Sequence, residues 1–363
     1  MNILFCVYHD LDSEERSREL FNVFCQLGNV DVVSRTKAIT MHGKNMKAVS
    51  AQGYLSFLRL SILMIMSSDY DLFVLHDNYG SLLIPFIRLF KHGKPIVFDS
   101  SEFYPLYELR DKHLPFTIKS KAFLLALGEK CFVRNADAVI AANIERASAM
   151  KRCYKVESNI LIYDNLHRIE EGYNLQHCEE KYSSILEPHK FLILNAGGIF
   201  DDRYIYEIAD AVVNLGDEFR LVVVGGGVKK EISEFQRRYQ NSANIRYLGF
   251  VPRNELKFLI QRSDVCFSGF KPVSLNNTYC ASGKTYESLM EGTPILCSEN
   301  PPLKRLCTDF GVGISSNNFV AAIQKMRLDY ASFKNNALAF SDKVDYAHRG
   351  ILLVNAIKDR LGI

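Results

Sequence analysis

The 363-residue sequence contains no tryptophan, and its nine cysteines include no C-x-x-C pair. A structural zinc site or a disulfide framework would need clustered cysteines, so we expect neither, and we expect a reducing compartment. Long hydrophobic runs are also missing: the longest, residues 58–66, is interrupted by Arg59 and Ser61 and is too short to span a bilayer. A formal net charge of only +3 argues against nucleic acid as a main ligand.

The composition is that of an ordinary globular protein, with 48% hydrophobic and 23% charged residues. A chain of this length can form two domains, each with its own core. Because the first ten residues have neither a basic segment nor a long apolar segment, we expect a β-strand there and not a signal peptide. Together these features predict a cytoplasmic protein.

Short apolar runs alternate with stretches of helical periodicity along the first half of the sequence. The runs that we predict to be strands are 3–8, 30–33, 71–75, 95–98, 136–141 and 159–163. Alternating strands and helices are typical of a parallel sheet that is covered by helices on both faces.

The same alternation restarts after a polar, weakly periodic stretch, which we predict to be a linker at 169–188. The second set of strands is predicted at 191–195, 220–224, 244–248, 264–268 and 294–297, with 311–314 as a further candidate. The fold class that this pattern predicts is α/β, with two Rossmann-like doubly wound domains that face a cleft. We place the domains at 1–168 and 189–343, and we expect a C-terminal helix at about 344–363 to pack on the first.

Residues 282–294 combine the signals of a short helix with groups that suit a phosphate. Ser282 is a good N-cap, and Gly292 is a good residue to end the helix. The N–H groups at the start of such a helix, together with the charge of Lys284, would attract a phosphate. Glu287 lies one turn further on, where it would accept hydrogen bonds from the hydroxyls of a sugar. The alternative is an ordinary capped helix with solvated side chains.

Glycine-containing loops follow three of the predicted strands in the second half, at 195–198, 225–227 and 249–252. Glycine lets the backbone approach a ligand closely, and an arginine after the first loop has the forked donors that suit a diphosphate. The third loop has residues that would flank a flat base, whereas the second is not a complete G-x-G-x-x-G. Ordinary tight turns are the alternative for each loop. The candidate binding residues are Gly197, Gly198, Arg203, Gly225, Phe250 and Val251.

Polar residues also follow strand ends in the first half, where His76, Asp77, Glu102 and Tyr104 are expected to face the cleft. A structural histidine is the alternative for His76. The D-x-D at residues 10–12 has no supporting carboxylate cluster, so we expect a solvated loop there and no metal site; contact of this loop with a substrate is the alternative.

The segment 112–134 mixes lysine and arginine with apolar residues at helical spacing. An amphipathic basic helix can lie on an anionic membrane surface, so peripheral contact with the inner membrane surface is one expectation. A core helix with a solvated basic side is the alternative.

Taken together, these motifs resemble the family-4 type of GT-B glycosyltransferases, retaining enzymes that use nucleotide-sugar donors. The most specific similarity is at A-S-G-K-T-Y-E, residues 281–287, with G-T-P at 292–294, which resembles A-S-P-N-K-L-F-E-Y…G-x-P. D-L-F-V-L-H-D at 71–77 resembles D-V-V-H-A-H-D, and D-S-S-E at 99–102 resembles D-S-H-E. Weaker similarity is found at 16–19, 136–140 and 163–165. The resemblance covers nearly the whole chain.

The resemblance implies that the donor, a UDP-sugar or GDP-sugar, is held by its diphosphate, and that neither a metal nor another cofactor is needed. Arg203 and Lys284 would stabilise the departing diphosphate, and Glu287 matches the second glutamate of an E-x₇-E motif that grips the ribose. His76 and Glu102 would position the acceptor or the sugar. The amides around the capped turn would hold the same diphosphate, at Ser282, Gly283 and Thr285.

Three positions depart from the family pattern: Tyr279 replaces the first glutamate of E-x₇-E, Gly198 replaces an arginine, and Ser101 replaces the histidine of D-S-H-E. The expected function is transfer of a sugar to a saccharide or lipid-linked saccharide, in bacterial surface polysaccharide biosynthesis. Because of the departures, a non-catalytic nucleotide-sugar-binding or scaffold protein is the main alternative. A nucleotide-sugar epimerase is the third.

Overall fold

The computed structural model describes residues 1–11, 14–35, 48–103, 116–155, 160–187, 190–344 and 346–363. The chain forms two compact units. Unit 1 comprises Met1–Asp164 and Asp345–Ile363, and unit 2 comprises Asn165–Val344. Each unit contains one sheet in which every strand pair is parallel.

The sheet of unit 1 has seven strands in the order β3-β2-β1-β4-β5-β6-β7. Their bounds are β1 Asn2–Val7, β2 Asn29–Ser34, β3 Ala48–Ser50, β4 Leu72–His76, β5 Ile96–Ser100, β6 Ala138–Ala141 and β7 Ile160–Ile162. The six predicted strands are present, although Asn159, predicted to start the last, lies outside the described residues. The prediction missed β3 because a three-residue edge strand has too few residues to show a pattern.

The helices of unit 1 are α1 Glu15–Cys25, α2 Tyr54–Ser67, α3 Asp77–Ser81, α4 Ile84–Phe90, α5 Phe116–Phe132, α6 Ile144–Tyr154 and the C-terminal helix Tyr346–Leu361. Apolar residues of β1, β4 and α1 form one core cluster, which Leu353, Val354 and Ile357 of the C-terminal helix complete. No helix within the described ranges is both long enough and apolar enough to cross a membrane.

The sheet of unit 2 has six strands in the order β10-β9-β8-β11-β12-β13. Their bounds are β8 Phe191–Ala196, β9 Phe219–Val224, β10 Ile245–Gly249, β11 Val265–Ser268, β12 Ile295–Cys297 and β13 Gly313–Ser315. Alternate residues of one strand enter different cores: Ile193 packs in one cluster, while Leu192 and Leu194 pack in another. Because side chains alternate across a strand, this sheet is covered on both faces.

The helices of unit 2 are α7 Leu175–Tyr182, α8 Ile205–Leu215, α9 Lys229–Tyr239, α10 Arg253–Arg262, α11 Leu275–Thr278, α12 Gly283–Met290, α13 Pro301–Phe310, α14 Phe319–Leu328 and α15 Tyr330–Lys343. The stretch predicted as a linker contains α7, whose Cys178 and Tyr182 are buried with Ile169 and Ile185 in the core of unit 2. These few apolar positions among exposed polar ones give a weak periodicity, and for that reason the helix was not predicted.

Candidate functional site

Helix α12 begins and ends where the sequence predicts. The side chain of Ser282 caps it by accepting the N–H of Lys284 at 3.3 Å, and its carbonyl accepts the N–H of Thr285 at 3.0 Å. After the helix, Gly292 has a φ of +68°, a conformation that favours glycine. Because Ser282 already bonds two of the first N–H groups, the charge of Lys284 is the stronger attraction for a phosphate at this end.

Gly283 is held against the rest of unit 2 by packing. A Cβ at this position would lie 2.2 Å from Cδ2 of the buried His167 ring. The side chain of Thr285 is also turned inward, and its Oγ1 is hydrogen-bonded to Oγ of Ser268 at 2.9 Å. Of the predicted residues in this turn, Gly283 and Thr285 can therefore contribute to a ligand site only through the backbone.

A pocket of about 710 Å³ lies within unit 2, at the carboxyl ends of β8, β9 and β10. Such a volume is in the range of ordinary small-molecule sites. The predicted residues that line it are Gly197, Gly198, Gly225, Phe250, Val251 and Lys284. Ala196, Gly226 and Gly227 of the predicted loops also line it. The sequence did not predict the other lining residues, which are Phe200, Val224, Val228, Arg253 and Leu256.

The three glycine-containing loops form one preformed wall of this pocket. Backbone hydrogen bonds of 2.8 Å join Gly197 N–H to Val224 and Gly225 N–H to Gly249. Gly225 has a φ of +131°, and a Cβ there would lie 2.1 Å from the carbonyl oxygen of Gly197. Only glycine fits where two backbones approach this closely, so these glycines shape the pocket wall.

Lys284 and Arg253 hold a buried carboxylate beside the pocket. Nζ of Lys284 lies 3.1 Å from Oε2 of Glu287, and Nη2 of Arg253 lies 3.2 Å from Oε1. The side chains of Lys284 and Arg253 line the pocket, whereas that of Glu287 is only 2% exposed. The sequence predicted that Glu287 would accept sugar hydroxyls; in this structure each of its oxygens is instead paired with a cation.

Arg203 is absent from the lining of this pocket, as far as the described residues define it. Its guanidinium lies over the ring of Phe270, 4.4 Å from the centroid, and its Nε lies 3.6 Å from Asp202. A cation over an aromatic face is a favourable contact. The structure therefore brings Lys284 to the glycine loops but places Arg203 in a separate stacking contact.

In unit 1, His76 is fully buried at the end of β4. The register of the sheet pairs it with Asp99 of β5, and its Nδ1 lies 2.9 Å from Oδ2 of that carboxylate. Arg16 donates to both oxygens of Asp99, at 2.5 and 3.1 Å, and to the carbonyl of Tyr163 at 2.7 Å. In this geometry His76 is a buried partner of Asp99, which fits the structural histidine that the sequence left open.

The protonation of this cluster follows from burial and charge together. Burial opposes ionisation of Asp99, but Arg16 and His76 outweigh it and lower the pKa of Asp99 to about 2. Burial likewise opposes a charged His76, yet contact with Asp99 and the charge of Glu14 raise its pKa above the ordinary value. The cluster is thus a mutually neutralising set of ions in the interior of unit 1.

The other first-half predictions have mixed outcomes. Asp77 is buried, with a φ of +60°, and its Oδ2 lies 3.3 Å from Nε2 of His9. Glu102 is partly exposed, and its backbone carbonyl accepts the hydroxyl of Ser100 at 2.9 Å. Tyr104, predicted beside them, lies outside the described residues, as does Asp12 of the D-x-D.

The sequence missed Arg253 as a site residue and Arg16 as an ionic partner of Asp99. Arg253 directly follows the loop at 249–252, so its place at the start of α10 was a signal that could have found it. Arg16 lies 83 residues before Asp99, and nothing in the local sequence indicates their contact.

Comparisons with known proteins point to one family. Residues 179–332, which include every residue that lines the pocket, match the model for glycosyl transferases group 1. No curated protein is significantly similar to the chain.

Solved structures resemble the chain along its whole length. Sucrose-phosphate synthase from Thermosynechococcus elongatus has a TM-score of 0.75 at 14% identity, covering 99% of this chain and 98% of that one. Anabaena Alr3699/HepE, in complex with UDP and glucose, has a TM-score of 0.70 at 13% identity and coverages of 99% and 100%. WaaG, a glycosyltransferase involved in lipopolysaccharide biosynthesis, has a TM-score of 0.70 at 12% identity and coverages of 98% and 99%. The chain therefore has the two-domain, Rossmann-like GT-B fold, and its residues 179–332 match the model for glycosyl transferases group 1.

Proposed function

We propose that this protein is a glycosyltransferase that takes its sugar from a nucleoside diphosphate sugar bound in the pocket of unit 2. The observation that carries the proposal is the meeting of three glycine-containing strand ends with Lys284 in one pocket. Glycine loops admit the backbone close to a phosphate, and lysine supplies the charge that a diphosphate needs. The Anabaena relative, whose structure holds UDP, supports a nucleotide in a protein of this fold.

The pocket has a place for the base and a place for the diphosphate of such a donor. Phe250 is 86% exposed at the pocket edge and offers a flat face on which a base would stack. Lys284, at the start of α12, lies where the diphosphate would develop charge as the sugar leaves. Preorganised positive charge stabilises a departing diphosphate, so we propose transfer without a metal or a further cofactor. The proposal rests on Lys284 more than on Arg203, which stacks on Phe270.

The stereochemistry and the acceptor are proposed from the family resemblance. We propose that the configuration of the transferred sugar is retained and that the acceptor is a saccharide or a lipid-linked saccharide. Biosynthesis of a bacterial surface polysaccharide, in the cytoplasm, is the proposed context. WaaG, which acts in lipopolysaccharide biosynthesis, is a structural relative in keeping with this context.

We also propose that unit 1 contacts an anionic membrane surface. Helix α2 packs beside α4, and α5 packs beside α3, which leads into α4. In the described part of α2, α4 and α5, the one carboxylate is Glu129, whose pKa burial raises well above its ordinary value. Of the cations on these helices, Arg88 pairs with Asp137 at 2.8 Å, so the positive charge is carried mainly by α2 and α5. Their exposed apolar residues are Leu55, Leu63, Met66, Phe86, Leu89, Phe90, Phe123 and Leu124. Of the segment predicted for this role, residues 112–115 lie outside the described residues.

The test of the donor site is a thermal-shift screen against UDP, GDP and their sugars, followed by transfer assays. Selective binding at a hundredfold excess over Kd stabilises the folded protein by about 2.7 kcal/mol. Lys284→Ala should remove the shift, whereas Lys325→Ala, at an exposed lysine of α14, should retain it. A wild-type protein that none of these nucleotides stabilises would refute the proposal.

A non-catalytic nucleotide-sugar-binding protein is the second candidate. The burial of His76 and the stacking of Arg203 on Phe270 favour it, because both residues were expected to act in transfer. Binding without transfer to any saccharide and without release of free nucleotide would support this candidate. Release of nucleotide without an acceptor would instead indicate an epimerase.

A further inference from the structure

We propose that Arg253 is a positioning residue for the donor: it neutralises the buried carboxylate of Glu287, which allows Lys284 to leave that carboxylate and bind the diphosphate. The inference rests on the proposed function, because it assumes a diphosphate in the pocket of unit 2. It concerns a residue of α10 that the sequence motifs did not single out.

The three side chains connect the interior of unit 2 with the pocket. Glu287 projects from α12 and is almost completely buried. Lys284 Nζ lies 3.1 Å from its Oε2 and 3.5 Å from its Oε1, so without a ligand the lysine is shared between both oxygens. Arg253 Nη2 reaches Oε1 at 3.2 Å from the first turn of α10. Both cations also face the pocket, with side chains about two-fifths exposed.

A buried carboxylate needs a positive partner, since an ionised group without one is strongly destabilised. Suppose that Lys284 were the sole cationic partner of Glu287. A diphosphate that bound Lys284 would then leave the carboxylate of Glu287 without a compensating charge. Glu287 and the phosphate would then compete for one cation. With Arg253 present the three groups carry a net charge of +1, and one cation can move to the ligand while the other stays.

The chemistry of the two cations fits this division of roles. Arginine is planar and keeps its charge, and it suits a fixed pair with a carboxylate, whereas lysine is a flexible point charge. Arg253 is steadied from its other side by Glu171, whose Oε1 lies 3.9 Å from Nε. Lys284 stands on the first turn of α12, where the helix dipole also favours a phosphate. The mobile cation is thus the one at the phosphate end.

The experiment measures the affinity for UDP or GDP, whichever the wild-type protein binds more tightly, by titration calorimetry. We expect Arg253→Ala to weaken binding about tenfold, and Arg253→Lys to restore most of the loss, as for a coupled charge pair. In a Glu287→Gln background the same Arg253→Ala change should cost less than about threefold, because no carboxylate then competes for Lys284. The nucleoside without phosphates should be bound equally by wild type and Arg253→Ala.

Arg262→Ala is the matched control, because Arg262 lies on the same helix and pairs with the exposed Glu179 at 2.5 Å. It should leave the affinity unchanged. An equal loss on Arg253→Ala in both backgrounds would overturn the inference, since it would mean that Arg253 touches the ligand directly.

A second measurement, made without any nucleotide, distinguishes a failure of the Arg253–Glu287 pairing from a failure of the proposed function. Arg253→Ala should lower the urea midpoint of unit 2 when Glu287 is present and have much less effect in the Glu287→Gln background. No difference between the backgrounds would overturn the pairing of Arg253 with Glu287, whatever the ligand. If the wild type bound neither nucleotide while this coupling was found, the proposed function would fail and only the charge pairing would stand.

Discussion

Replacing Arg16 with methionine should destabilise unit 1 more than any other arginine change of the same kind in α1. Arg16 is buried, and its guanidinium makes two hydrogen bonds to Asp99 and one to the carbonyl of Tyr163. Methionine keeps much of the length of the side chain but removes the charge and all three donors. Asp99 would then be left in the interior with His76 as its remaining cationic partner.

Removing one member of a buried ion pair costs about 3–5 kcal/mol, and we expect the lower end of this range because His76 still partly compensates Asp99. At a slope of about 2 kcal/mol per M, this corresponds to a fall of about 2 M in the urea midpoint. Arg16→Met with Asp99→Asn should lose less than the sum of the single changes, with a coupling of about 1–3 kcal/mol.

The assay must follow unit 1 separately, because a protein of two compact units need not unfold in one step. Since the chain has no tryptophan, far-UV circular dichroism should be combined with hydrogen exchange at β5 of unit 1 and at β9 of unit 2. The control is Arg18→Met, two residues further along the same helix, where Arg18 is 40% exposed and lies 3.8 Å from Glu15.

The control change should cost about 1 kcal/mol or less, as for a surface pair. If hydrogen-exchange protection of β5 were the same in Arg16→Met as in Arg18→Met, or if Arg16→Met reduced protection equally at β5 and β9, the buried cluster would not be what stabilises unit 1.

Three further predictions concern pH, backbone and turnover. Because the pKa of His76 is raised in the folded protein, its stabilising charge is fully present below pH 6.5 and is lost as pH rises through the raised pKa. The free energy of unfolding of the wild type, relative to that of His76→Gln, should therefore decline above pH 6.5. A difference in urea midpoints that does not change with pH would contradict this. Gly225→Ala should lower the free energy of unfolding by about 2 kcal/mol or more. Gly216→Ala is the control: Gly216 has a φ of +84° but open space around it, so the loss should be about 1 kcal/mol. Equal losses of stability in thermal unfolding would show that the contact of Gly225 with the neighbouring loop does not matter. Lys284→Ala should reduce turnover at least about 100-fold while lowering the urea midpoint of unit 2 no more than Arg253→Ala does, because Arg253 still pairs with Glu287; wild-type turnover would remove the proposed role of Lys284.

Much of each unit could be predicted because its signals are local. The strands of both sheets are short apolar runs between polar stretches, and burial on both faces makes them apolar at successive positions. Ser282 and Gly292 bound α12 by cap chemistry that involves only a few neighbouring residues. The glycines at strand ends line the pocket wall, and glycine is required there because only glycine tolerates the close backbone approach found at Gly225.

Other features depend on residues that are distant in sequence. The sequence did not predict helix α7 because only a few of its residues are buried. These residues pack against apolar side chains that are distant in sequence, such as Phe258. His76 could not be assigned from its position after a strand, since a strand end in a parallel sheet serves a ligand site and a buried ion cluster equally well. Only the tertiary structure shows that His76 contacts Asp99, which Arg16 also binds.

The amino-acid sequence by itself determined all the strands except β3, the alternation that makes parallel sheets, the capped turn at Ser282 and the glycines at the strand ends. These follow from backbone geometry and from burial, which act over a few residues. Only the tertiary structure decided which charges meet: Arg253 with Glu287, and Arg16 with His76 through Asp99. Electrostatic partners are chosen by distance in space, and packing of the sheets and helices sets that distance.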